Sequence, residues 1–96
     1  MSGTTCLSSD LKSADAQIWT GRGTLNSLSV FTDGTNAATV TLYDNTAASG
    51  VVLAQAKVPG SNLGAFQAWN LAIRCQNGIY AHVSGTGANY IVHYGA

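Results

Sequence analysis

Residues 38–53 read Ala-Thr-Val-Thr-Leu-Tyr-Asp, then Asn-Thr-Ala-Ala-Ser-Gly, then Val-Val-Leu. Period-two alternation puts Val40 and Leu42 on one side and Thr39, Thr41 and Tyr43 on the other. A helix, with its period of 3.6, could not sort these residues that way. The alternation stops at Asp44, a polar or small run follows, and a β-branched run resumes at Val51. Residues 38–53 are therefore predicted to form a strand, a turn and a strand.

The same pattern recurs along the chain. Residues 17–20 make a short strand that ends at Gly21-Arg22-Gly23. Residues 24–32 follow, with Leu28, Val30 and Thr32 on one face and Ser27, Ser29 and Phe31 on the other. Asp33-Gly34-Thr35-Asn36 turns the chain, Asp-Gly being a hairpin signal, and 39–44 is expected to pair back on 24–32. Residues 51–58 form the next strand, stopped by Pro59, the only proline. Residues 61–64 read as a loop. Residues 66–75 alternate, with Trp69, Leu71, Ile73 and Cys75 in phase on an apolar face. Gln76-Asn77-Gly78 carries the strongest short hairpin signal. Ile79, Ala81 and Val83 then face in while Tyr80, His82 and Ser84 face out, and residues 90–94 form the last strand.

Seven or eight short strands with turn signals about every ten residues predict an all-β fold, a single antiparallel β-sandwich or jelly roll. Nothing in the pattern suggests parallel β-α-β units. Residues 1–15 read as an N-terminal arm and 16–96 as the sandwich domain. Over residues 6–18, with Leu7, Leu11 and Ile18 apolar, Ser9-Asp10 could cap a short helix, but the Ser-Asp-Leu-Lys-Ser-Ala-Asp spacing also suits an irregular edge segment, and extended structure is expected.

Composition restricts the function. Only 8% of the 96 residues are charged and the formal net charge is zero, against about 25% charged in ordinary domains. A surface this poor in charge is expected to be covered by copies of itself or by a larger assembly. Four basic residues without a cluster argue against nucleic-acid binding. No apolar run reaches the length of a membrane-spanning helix, and Met-Ser-Gly-Thr-Thr-Cys at the start is not a secretory signal. Cys6 and Cys75 could bridge the arm to the domain, but two buried free thiols are the reading a reducing compartment favours.

No catalytic constellation emerges, so no enzyme, cofactor or metal is expected. His82 and His93 lie on separate strands without zinc-site spacing. Asp33 and Asp44 sit in Asp-Gly and Asp-Asn turns, where aspartate bonds its own backbone; paired carboxylate catalysis would need them in one cleft. Gly21-Arg22-Gly23 and Gly85-Thr86-Gly87 precede no helix that would complete a phosphate loop. The candidate contact residues are Trp19, Thr39, Thr41, Tyr43, Tyr80, His82, Tyr90 and Tyr94. Outward aromatics among Thr and His suit a subunit interface, with sugar stacking as the alternative.

One resemblance goes further. Residues 28–44, Leu-Ser-Val-Phe-Thr-Asp-Gly-Thr-Asn-Ala-Ala-Thr-Val-Thr-Leu-Tyr-Asp, with the loop to Gly50 and the strand Val51-Val52-Leu53-Ala54, resemble the core of small tailed-bacteriophage virion proteins. Asn77-Gly78-Ile79-Tyr80 and Tyr90-Ile91-Val92-His93-Tyr94 match their later strands. The resemblance runs from Gly21 to the end and leaves out residues 1–20. It implies a virion structural protein made in the host cytoplasm, a capsid decoration (cement) protein on the head surface. Its partners would be itself, as a homotrimer, and the major capsid protein. The alternative role is a tail or head-fibre component that binds carbohydrate. No catalytic residues carry over.

Overall fold

The computed structural model describes residues 7–60, 65–68 and 71–95, with the backbone alone for 65–68. The described residues contain no helix. They form nine strands: β1 (Leu7–Ser8), β2 (Ala16–Thr20), β3 (Gly23–Phe31), β4 (Ala38–Tyr43), β5 (Val52–Val58), β6 (Ala65–Ala68), β7 (Ile73–Cys75), β8 (Gly78–Ser84) and β9 (Asn89–Gly95). All pair antiparallel in two sheets, the β-sandwich that the alternation predicts. The first sheet runs β1-β9-β3-β6, with β7 also on β3, and the second runs β2-β8-β4-β5.

The strand count exceeds the expectation because the 66–75 segment is broken and because residues 7–8 of the expected arm form β1. β6 pairs with Leu28–Phe31 and β7 with Gly23–Leu25, so the two share one edge of β3. Between them Ala72 takes a left-handed φ of 49°, which a continuous strand cannot hold. Leu71 packs against the core and its N–H donates to the Asn26 carbonyl at 2.9 Å. The expected core position of Trp69, the loop at 61–64 and Cys6 fall on residues outside those described, while Cys75 is a buried free thiol.

The turn signals mark where the chain reverses, but only β4 and β5 form a hairpin between consecutive strands. The expected pairing of 24–32 with 39–44 does not occur, because β3 and β4 lie in different sheets. Gln76-Asn77-Gly78 likewise joins β7 in the first sheet to β8 in the second. A reversal of the same tightness serves both purposes, since stacked sheets lie only about 10 Å apart.

The core fills the space between the sheets. Leu25, Leu28 and Val30 of β3, with Val92 of β9, face Val40 and Leu42 of β4 and Ile79 of β8, all essentially inaccessible to solvent. Leu25 and Leu28 both reach the core although their spacing is odd, because Asn26 is an extra residue in the β3–β9 register. Among the described residues Tyr90 is the largest fully buried side chain, at 0% exposure. It therefore belongs to the core and is not the outward contact residue expected of it; it shares the parity of Val92. Its hydroxyl donates to the Ala14 carbonyl at 2.7 Å. Burial pushes the phenol up to about 12, helped by the charge of Asp15 and by Tyr80.

Residues 7–15 lie along β9. Leu7 and Ser8 pair with Tyr94 and His93, and Lys12 bridges Tyr90 through backbone bonds of 2.8 and 2.9 Å. This segment then crosses to the second sheet, where β2 pairs with β8.

Candidate functional site

The outer face of the second sheet gathers five of the eight candidate residues. Antiparallel register sets them in cross-strand rows. Tyr43 of β4 lies opposite Tyr80 of β8 on one side and Val52 of β5 on the other, and Tyr80 lies opposite Gln17 of β2. Thr41 stands between His82 and Gln55, and Thr39 between Ser84 and Lys57. The alternation of β4 and β8 produces this face directly, because Val40, Leu42, Ile79 and Ala81 occupy the buried side.

The rows differ in chemistry. Tyr43 and Tyr80 are half-buried, and Val52 is 50% exposed, with Val51 at 68% just before it. That row is an apolar and aromatic stripe across three strands. In the middle row Thr41 is only 4% exposed, because the Gln55 side chain lies over it and donates to Thr41 Oγ1 at 2.8 Å. Thr41 therefore points outward as expected but is covered, so a partner would meet Gln55 first. The expectation of an open Thr39-Thr41-Tyr43 face is corrected to that extent.

His82 is held at the rim. Its Nδ1 lies 2.8 Å from Asp15 Oδ2, and Asp15 Oδ1 accepts the Val83 N–H at 2.9 Å. Partial desolvation pushes the Asp15 carboxyl up, but the bonds from His82 and Val83 and the His82 charge outweigh it, and the carboxyl is held below its usual value. His93 sits on the outer face of the other sheet, where its Nδ1 lies 2.7 Å from Ser27 Oγ. Among the described residues no three His, Cys or Asp side chains converge.

The remaining aromatics sit elsewhere. Trp19 packs tilted against Tyr94, ring centroids 5.7 Å apart, and its Nε1 donates to the Arg22 carbonyl at 2.9 Å. Both rings also lean on the core. Ile18 is an extra residue between Gln17 and Trp19 in the β2–β8 register, so the simple alternation of 17–20 misassigns the Trp19 face.

Sequence reasoning missed Asp15, Gln17, Gln55 and Val52. Val52 joins the tyrosine row because Leu53 is an extra residue in the β4–β5 register. Asp15 and His82 are far apart in the chain, and no local signal links them. The aspartates at the turns also behave differently from one another. Asp33 bonds its own turn, accepting the Thr35 and Asn36 N–H groups at 2.8 Å each, and the Asn36 N–H bond first, then that of Thr35, holds its carboxyl below the usual value. Asp44 does not bond its own turn. It accepts the N–H of Gln76 at 2.9 Å and of Asn77 at 2.7 Å, tying the start of the β4–β5 loop to the β7–β8 crossing. Asp33 and Asp44 stand at opposite ends of β4 and share no cleft.

Comparison with protein-family models, with curated proteins and with solved structures finds no match to this chain.

Proposed function

We propose that this chain is a non-enzymatic virion protein of a tailed bacteriophage, a capsid decoration protein that associates with its own copies as a homotrimer and with the major capsid protein. The observation that carries the reading is the Val52-Tyr43-Tyr80 row, a half-exposed apolar stripe on a sheet face otherwise lined by Thr, Ser, Gln, His82 and Lys57. Covering such a stripe is favourable by about 25 cal/mol per Å² of apolar surface, and aromatic residues are enriched where subunits meet. The low charge of the chain fits a surface that is partly covered in its working state. The motifs of residues 21–96 point to the same class of protein.

The strand order supports the jelly-roll form of the sandwich. With β6 and β7 counted as one broken strand, the sheets run 1-9-3-6 and 2-8-4-5, and every other connection except β4–β5 crosses between sheets. The adjacent rings of Tyr43 and Tyr80 also favour a second reading, a tail or head-fibre component that stacks these rings on sugar.

Sedimentation velocity tests the first reading. The expected species has three times the 9.9 kDa chain mass, and Tyr43→Glu and Val52→Lys should each shift it to monomer while leaving the fold intact. A stable wild-type monomer at micromolar concentration overturns the trimer. Re-addition to heads stripped of the protein, followed by pelleting, tests capsid binding. A glycan array whose hits vanish in Tyr43→Ala and Tyr80→Ala would select the second reading.

A further inference from the structure

At one end of the first sheet lies a hollow of about 250 Å³ lined by Arg22, Gly23, Thr24, Arg74, Cys75 and Gln76. Two of the four cations in the chain line it. The register explains how they meet from segments far apart in the chain. Gly23 pairs with Cys75 and Thr24 with Arg74. Extending that register by one step places Arg22 beside Gln76, just beyond the paired strands. Alternation then sends Arg22, Thr24, Arg74 and Gln76 to the outer side, while Cys75 points inward and is buried. The four outward side chains form two adjacent pairs with the arginines on the diagonal, a separation that long side chains span easily. Gly95 lies opposite Thr24 on β9 and adds no side chain to fill the space.

Among the described residues neither guanidinium has a hydrogen-bond or ion-pair partner, and the one ion pair is His82–Asp15. The carboxylate beside the hollow belongs to Asp44. Its oxygens accept the backbone N–H groups of Gln76 and Asn77, at 2.9 and 2.7 Å, which fixes the position of Gln76. The local balance is two cations against one anion already engaged by the backbone. The planar guanidinium fork matches the two oxygens of a carboxylate or phosphate, and the Thr24 hydroxyl and Gln76 amide add neutral hydrogen bonds beside it. The volume lies below the usual range for drug-sized ligands, about 300–1,000 Å³, so the occupant is small.

We propose that this hollow is a binding site for a small oxyanion, the carboxylate or phosphate group of a ligand no larger than a single sugar ring, with Arg22 and Arg74 as its two charge partners. Neither the tyrosine row nor an oligomeric state enters the proposal.

The test is a ¹H–¹⁵N correlation titration of the full chain with sodium phosphate and with sodium glucuronate, each against sodium chloride at matched ionic strength. The expected result is saturable shifts at the amides of residues 22–24 and 74–76 with one or both probes, the tighter probe naming the group. Arg22→Gln and Arg74→Gln should each weaken binding about tenfold. Lys57→Gln, which removes the same charge from the other sheet, should change it less than about twofold. The spectra of the variants report their folding directly. Shifts that merely follow ionic strength, no saturation with either probe, or equal weakening by Lys57→Gln overturns the proposal.

Discussion

Two turns of this chain look alike in sequence and do opposite things. The β4–β5 loop and the β7–β8 turn each join two β-runs through Asn and Gly. The first closes a hairpin within one sheet; the second carries the chain from one sheet to the other. Their surroundings show the difference. At the tip of the hairpin, a side chain added at Gly50 would meet only the Asn45 side chain, 3.2 Å from its Nδ2. At the crossing, one added at Gly78 would lie 2.5 Å from the Trp19 carbonyl oxygen. A crossing is built into the packing of both sheets, whereas a hairpin loop rests on its own ladder.

The sharpest way to break that comparison is at the two glycines. Both have positive φ, 95° at Gly50 and 147° at Gly78, so any side chain is strained at either. Gly78→Val adds a collision with fixed backbone and should cost about 3 kcal/mol or more. Gly50→Ala, against a flexible amide, should cost about 1 kcal/mol. Urea unfolding of the two variants measures both. Equal losses would mean that the crossing is no more constrained than the loop.

Asp44 sits at the junction of the two turns and gives the next largest effect. Asp44→Ala removes the acceptor of the Gln76 and Asn77 N–H groups and should destabilise by about 1–2 kcal/mol. The amides of Gln76 and Asn77 should exchange with solvent faster in that variant, while Val83 keeps its rate. A smaller effect is expected at the hairpin tip. Two extra residues between Ala47 and Ala48 lengthen an exposed loop and should cost less than about 0.6 kcal/mol by loop-closure entropy. The same insertion between Gln76 and Asn77 should destabilise several-fold more.

The comparison also marks where the sequence is readable. Alternation identifies the strands and most of the buried face, because burial on one side of a sheet imposes a period of two on local residues. Val40, Leu42, Ile79 and Ala81 follow that rule, and the outward positions of Tyr43, Tyr80 and His82 follow with them. Single extra residues break it. Ile18, Asn26 and Leu53 each shift a register, and with it the face of Trp19, Leu25 or Val52. Turn residues specify the reversal but not the sheet of the next strand, which depends on which apolar faces meet. The Asp44–Gln76 and Asp15–His82 contacts and the meeting of Arg22 and Arg74 at one hollow have no local signature, because each joins segments that come together only once the sandwich closes. Tyr90 was legible in principle, since it shares the parity of Val92, but tyrosine is amphipathic and its buried hydroxyl needs the Ala14 carbonyl from a distant segment.

A third crossing, from β1 to β2, gives the smallest and most specific prediction. Asp15 plays there the part that Asp44 plays at the β7–β8 crossing: its carboxylate collects a backbone N–H from a distant strand, here Val83. The folded state lowers the Asp15 pKa from 3.8, with the bonds from His82 and Val83 prevailing over desolvation. A depressed carboxylate stabilises the fold at pH values above its unfolded pKa and loses that contribution as pH falls through the lower folded value. Asp15→Asn should therefore destabilise at pH 6, and the difference should shrink as pH falls below the ordinary carboxylate range. Because Asp15 and His82 are 36% and 45% exposed, solvent screening holds the effect at pH 6 to about 0.5 kcal/mol, and added salt should reduce it further. Amide exchange gives a local readout: Val83 should speed up in Asp15→Asn while Gln76 does not, the reverse of Asp44→Ala. If both variants loosen both amides, the two crossings open as one unit. If each loosens only its own, these two changes of sheet are fastened separately, each by its own aspartate.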